Sequence, residues 1–129
     1  MIVQGDIAKI LYKDCLQFGL PVYQKDNTPT GKLEKERIVV IPKSGTMDTY
    51  WEKCFVEVNI CVPDKDGVAD LIRLDELERR IARDLKFKSG VYDSTRYMYQ
   101  RQSTSRERDI ELGCHFVNIR LLFKILNTR

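Results

Sequence analysis

The residue types that do chemistry near neutral pH are few in this chain, and their spacing keeps them apart. His115 is the one histidine, and histidine is the usual general base. It falls at the start of the last apolar alternation, where a strand would aim it toward the core, packed or at the strand end. Its neighbour Cys114 would face the other way, because successive strand residues alternate, so a Cys–His dyad is not expected. Cys15, Cys54, Cys61 and Cys114 are scattered and include no C-x-x-C turn of the kind from which zinc sites are built. Cys54 and Cys61 are separated by an odd number of residues on one predicted strand, which sends them to opposite faces. All four are expected to be small, buried, reduced thiols. Asp64, Asp66 and Gly67 imitate the centre of a calcium loop, yet that alignment puts Val62 at the first ligand position and Arg73 where a bidentate glutamate is required. Lys43-Ser44-Gly45-Thr46 lacks the spacing of a phosphate-binding loop. A perturbed group in a polar pocket would have to involve His115 or Glu57. No residue is assigned a catalytic, metal-binding or cofactor-binding role, and the chain is not expected to be an enzyme.

One segment resists an ordinary account. Residues 96–108 hold Arg96, Arg101, Arg106 and Arg108 against Glu107 alone, a local charge of +3 that equals the formal charge of the whole chain. Tyr97 and Tyr99 interleave with these arginines. Tyrosine and arginine are favoured both as interface anchors and as stacking partners for bases. The alternatives are therefore a protein interface, a nucleic-acid surface, or a solvated hairpin of the kind that charged tracts usually form. Trp51 joins the interface candidates as the single tryptophan.

These side chains must be positioned by one compact unit. The 129 residues suit a single domain, 1–129, and 43% hydrophobic with 32% charged residues is enough apolar material for a core in a water-exposed protein. An overall charge of +3 is too mild to indicate nucleic acid or an anionic membrane. Residues 1–6 show no basic stretch followed by an apolar run, so no secretory leader is expected. The apolar runs at 38–41 and 119–123 are far short of the roughly 20 residues a membrane helix requires. Synthesis in the cytoplasm is the expectation.

The apolar spacing of Ile7, Ile10, Leu11 and Cys15 predicts a short helix capped by Asp6 and stopped by Gly19. Leu20-Pro21-Val22-Tyr23 reads as a brief edge strand, because Pro21 lacks a backbone donor. Residues 25–37 read as a mobile loop. A β-branched strand at 37–41 is closed by Pro42 and followed by turn-forming residues 43–49. The even-numbered apolar positions from Cys54 to Val62 predict a long strand with one face on the core. After a turn at 63–67, Leu71, Leu74, Ile81 and Leu85 form a helical stripe capped by Asp70, with Ser89-Gly90 expected to stop it near Phe87. A strand at 96–102 is expected to dissolve into the polar tract 103–109. His115 to Ile125 alternate as a terminal strand. The fold class is α+β, an antiparallel or mixed β-sheet with two helices packed on one face.

The order of elements resembles the tail terminator, or tail-completion, proteins of long-tailed bacteriophages and prophages and their neck-protein relatives. The resemblance lies in the helix ending Gly19-Leu20-Pro21-Val22-Tyr23, the strand Arg37-Ile38-Val39-Val40-Ile41-Pro42, and Cys54-Phe55-Val56-Glu57-Val58-Asn59-Ile60. The helix over 75–85 and Gly113-Cys114-His115-Phe116-Val117-Asn118-Ile119-Arg120 complete it. It covers most of the chain, whereas residues 103–108 have no counterpart. What it implies is a structural subunit without cofactor, forming a closed homo-oligomeric ring, commonly a hexamer. Such a ring terminates the tail tube and joins it to the neck, first in the bacterial cytoplasm and then in the virion tail. Two different patches per subunit must close a ring, and 25–36, 43–51 and 96–108 are the candidates. In a ring the arginines would meet a neighbouring subunit or face a lumen through which DNA passes. The reading from another class is a small nucleic-acid-binding module using 96–108.

Overall fold

The computed structural model describes residues 2–47 and 51–126. It contains two helices and a six-stranded mixed sheet. Helix α1 (Gln4–Cys15) leads through a 3₁₀ turn to strand β1 (Val22–Gln24), then come β2 (Arg37–Met47) and β3 (Trp51–Pro63). Helix α2 (Leu71–Leu77) continues as a π-helical turn over Glu78–Ala82, and β4 (Phe87–Tyr92), β5 (Thr95–Asp109) and β6 (Cys114–Leu126) follow. The strand order is β1-β2-β3-β6-β5-β4. Only β1 and β2 run parallel; all other neighbours are antiparallel.

Both helices lie on one face, as the apolar patterning requires. Ile7, Ile10 and Leu11 of α1 and Leu74, Leu77 and Ile81 of the second helix share one core with Ile38, Val58, Ile60, Ile119 and Phe123 from the sheet. Each fully buried aliphatic side chain there contributes about 1.5–3 kcal/mol by leaving water. The expected split of the cysteines is observed: Cys54 belongs to this core, and Cys61 to a smaller cluster on the opposite face with Leu33, Val39 and Cys114.

Several local expectations give way. Asp6 is the third helical residue, not the cap: the cap position is Val3, whose N–H donates to the Asp6 carboxylate at 3.0 Å. Gly19 does end the helical segment, at φ +79°. Pro42 does not close β2, which runs on to Met47 and pairs Pro42 with Val56. The reason lies in direction. The Ile38 N–H donates to the Pro21 carbonyl on the β1 side, Pro42 shares that orientation, and β1 pairs only as far as Val40, so the missing donor breaks no ladder bond. A register shift between Pro42 and Gly45 follows. Residues 48 and 49 of the expected turn lie outside the described residues.

Ser89-Gly90 is likewise not a helix stop; both residues are in β4, Gly90 opposite Tyr97. A Cβ on Gly90 would lie 2.6 Å from the Tyr97 hydroxyl and 2.8 Å from its ring. The glycine is there to let an aromatic ring cross the strand. The hairpin turns on Asp93 and Ser94, both at positive φ, the conformation a two-residue type I′ connection requires. The tract 103–109 does not dissolve: Ser103 to Asp109 pair in register with Arg120 to Cys114 along β6. Finally, 25–37 is anchored rather than loose. Leu33 is buried and its N–H donates to the Leu112 carbonyl at 2.8 Å. Glu36 accepts two hydrogen bonds from the Arg73 guanidinium, at 2.5 and 2.8 Å.

Candidate interaction surfaces

The structure divides the arginine–tyrosine segment into an engaged part and a free part. Tyr99 is fully buried. Its ring stacks on Phe123 with centroids 5.9 Å apart, and its hydroxyl donates to the Asp14 carboxylate at 2.7 Å. Asp14 also takes the Lys88 ammonium at 2.5 Å, so a short polar chain ties α1 to β4 and β5. Burial, and then the hydrogen bond to Asp14, push the Tyr99 phenol well above its ordinary 10.0. Tyr97 stacks on the same Phe123 at 5.3 Å. Of the two tyrosines singled out as base-stacking or interface residues, Tyr99 therefore spends its ring inside the domain, while Tyr97 is half-buried with one face on Phe123.

Arg101 and Arg106 reach the second helix. The Arg101 guanidinium donates to the Ala82 carbonyl at the end of the π-helical turn, and its backbone N–H donates to the Lys86 carbonyl at 2.9 Å. A carbonyl left over at a helix C-terminus is thereby satisfied. Arg106 bridges Asp75 at 2.5 Å and Glu78 at 3.1 Å. One irregularity aims it there. Arg101 pairs with Leu121 but Ser103 pairs with Arg120, leaving Gln102 as an extra residue in β5. The bulge reverses the facing of everything after it: Arg106 comes opposite core-facing Val117 and meets α2, whereas Glu107 comes opposite Phe116 on the other face. Arg96 and Arg108 remain exposed. Nothing is described of the Trp51 side chain, which lies outside the described residues together with those of residues 44–50 and 52.

His115 does sit at a strand end, with Nδ1–H donating to the Asp64 carboxylate at 2.7 Å. Glu57 accepts from Asn118 at 3.2 Å and pairs with Lys43 at 3.8 Å on the face away from the helices. The structure does not bring His115 and Glu57 together.

What sequence reasoning missed is the sheet's outer end. β4 is an edge strand, and it exposes Phe87 and Val91, 56% and 66% accessible. The opposite edge is the three-residue β1. The signal for β4 was present in Phe87 and Val91, but Ser89-Gly90 between them imitated a helix end. On the face away from the helices, the Arg120 guanidinium lies 3.9 Å from the Phe55 ring centroid, a cation–π contact. Among the described residues no helix is long and apolar enough to cross a membrane.

No protein-family model matches the chain, and no curated protein does. Among solved structures, one protein whose name carries no functional information is similar over 100% of this chain and 99% of its own, with a TM-score of 0.66 at 12% identity. That likeness shows a shared α+β fold.

Proposed function

We propose that this protein is a structural subunit of a bacteriophage or prophage tail, forming a ring that terminates the tail tube and joins it to the neck. The observation that carries the reading is the pair of unlike sheet edges. A closed ring needs a head-to-tail contact made by two different patches, and a strand order with β1 at one end and β4 at the other supplies them on a single sheet. β4 presents open backbone groups flanked by Phe87 and Val91, a combination that a monomer usually blunts with charge. The segments that resemble tail terminators also fall on matching elements: Gly19 to Tyr23 on the turn into β1, Arg37 to Pro42 on β2, Cys54 to Ile60 on β3 and Gly113 to Arg120 leading along β6.

Light scattering across a protein-concentration series, with negative-stain imaging, tests the reading. A ring of several subunits is expected at high concentration or on tail tubes. The double variant Phe87→Glu with Val91→Lys is expected to stay monomeric with an unchanged thermal melt. A chain that remains monomeric in both settings sinks the proposal. The nucleic-acid alternative gains no support from Tyr99, whose ring is fully buried, since stacking on a base needs a free ring face.

A further inference from the structure

Two buried thiols lie on the sheet face away from the helices, in a row of polar groups that crosses four strands. Arg37 of β2 is the direct cross-strand partner of Cys61 on β3, Cys114 of β6 lies one diagonal step from Cys61, and Asp109 of β5 is the direct partner of Cys114. Cys61 and Cys114 belong to one small buried cluster with Leu33 and Val39, and the Cys61 sulfur also lies 4.0 Å from the Asn59 carbonyl oxygen. Arg37 is itself only 8% accessible, and although its Nη1 donates to the Pro29 carbonyl at 3.0 Å, its buried Nε has no hydrogen-bond partner. The four groups do not close the face completely. A surface cavity of about 220 Å³ is lined by Arg37, Asn59, Cys61, Asp109 and Phe116 among others, so it borders the cluster on the side of Cys61, which is itself 4% accessible. Cys114 is fully buried behind it.

We propose that Cys61 and Cys114 form a peroxide-reactive dithiol, with Cys61 the attacking thiol and Cys114 the resolving one. The Cys61 thiolate attacks one oxygen of hydrogen peroxide, the O–O bond breaks, and the departing oxygen leaves as water after taking a proton. Cys61 is left as a sulfenic acid. The Cys114 sulfur then attacks the Cys61 sulfur and displaces hydroxide, which takes the Cys114 proton and leaves as a second water. Two thiols are oxidised to one disulfide while one peroxide is reduced to two waters. The chemistry requires thiolate character at Cys61, as thiolates rather than thiols are the nucleophiles. The Cys114 S–H, and then the Arg37 guanidinium, lower the Cys61 pKa from its ordinary 9.0 against the opposing effects of burial and Asp109. The neighbouring Cys61, and then burial, push the Cys114 thiol well above its ordinary 9.0. The resulting bond would join the C-terminal end of β3 to the N-terminal end of β6.

The proposal does not depend on ring formation. Its test is hydrogen peroxide treatment of the full, reduced chain, followed by alkylation and peptide mapping. The expected result is loss of two hydrogens per chain, a linked Cys61–Cys114 peptide, and an unoxidised Cys15, which serves as an internal control because burial raises its thiol to about 12. Cys114→Ser is expected to trap the sulfenic acid at Cys61 for capture by dimedone, and Cys61→Ser to leave Cys114 unreacted. Arg37→Met should slow oxidation of Cys61 about tenfold, and the two cysteine variants decide the matter if that substitution fails to fold. Oxidation of Cys61 no faster than of Cys15, or linkage through other cysteines, overturns the proposal.

Discussion

Tyr99 shows how one residue can serve a fold while imitating a binding site. Its hydroxyl reaches Asp14 on α1, and its ring stacks on Phe123 of β6, so it ties the first helix to the sheet. Tyr99→Phe removes a hydrogen bond to a charged group but leaves Asp14 with Lys88. A loss of about 1–2 kcal/mol is expected in urea unfolding. The same region sets the alkaline limit of the domain. Cys15 and Tyr99 both hold their protons in the folded state beyond the pH at which the unfolded chain releases them, burial being the main cause in each. The unfolded state then binds fewer protons than the folded one, so stability is complete below about pH 9 and falls as pH rises through the range up to about 12. Denaturant midpoints measured at intervals above pH 8 should show this decline, and Tyr99→Phe should make it shallower. A flat profile would mean that neither proton is held by folding.

At the scale of elements, alternation and helical spacing made β3, β6, both helices and the overall fold class legible, because one face of each is buried and the sequence must record it. The parts that were not legible are those whose conformation is imposed by a neighbour. Nothing in Ser103 to Asp109 demands a strand; β6, with its strong apolar alternation, supplies the pairing. Gly90 looks like a helix terminator until Tyr97 is seen to lie across it. The sequence makes Arg101 and Arg106 candidates for contact with another molecule, and the partners they have here lie within the chain, Ala82, Asp75 and Glu78; the alternation that would have pointed to them is reset in the sequence by the unpaired Gln102. Arg106→Gln removes partly exposed ion pairs and should cost about 0–1 kcal/mol. Deleting Gln102 would leave Ser103 to Asp109 in the same register along β6, because the residue removed is the unpaired one. Inserting one alanine between Ser103 and Thr104 is expected to do more, since it would turn Arg106 away from α2 and Glu107 toward it. Hydrogen exchange should show β5 beyond Ser103 losing protection in the insertion and keeping it in Arg106→Gln and in the deletion.

For the whole molecule, the open edge of β4 is the feature with consequences for assembly. If association runs through it, Val91→Lys alone should weaken self-association by about tenfold, with the larger effect in the double variant, since a lysine on an exposed edge discourages strand pairing. Sedimentation at several concentrations would measure this, and equal association of the wild type and Val91→Lys would move attention to the loop 25–36. The central seam carries a different consequence. β2 and β3 are joined by a short connection, as are β4, β5 and β6, whereas β3 meets β6 only after α2, β4 and β5 have been threaded between them. Two hairpin-based halves can thus gain structure early from nearby contacts, while the β3–β6 pairing, with its thirteen-residue strands, waits on closure of a long loop. The rate at which this domain acquires its native state is governed by the docking of those halves, and substitutions along the seam should slow refolding more than equally destabilising ones at β1 or β4.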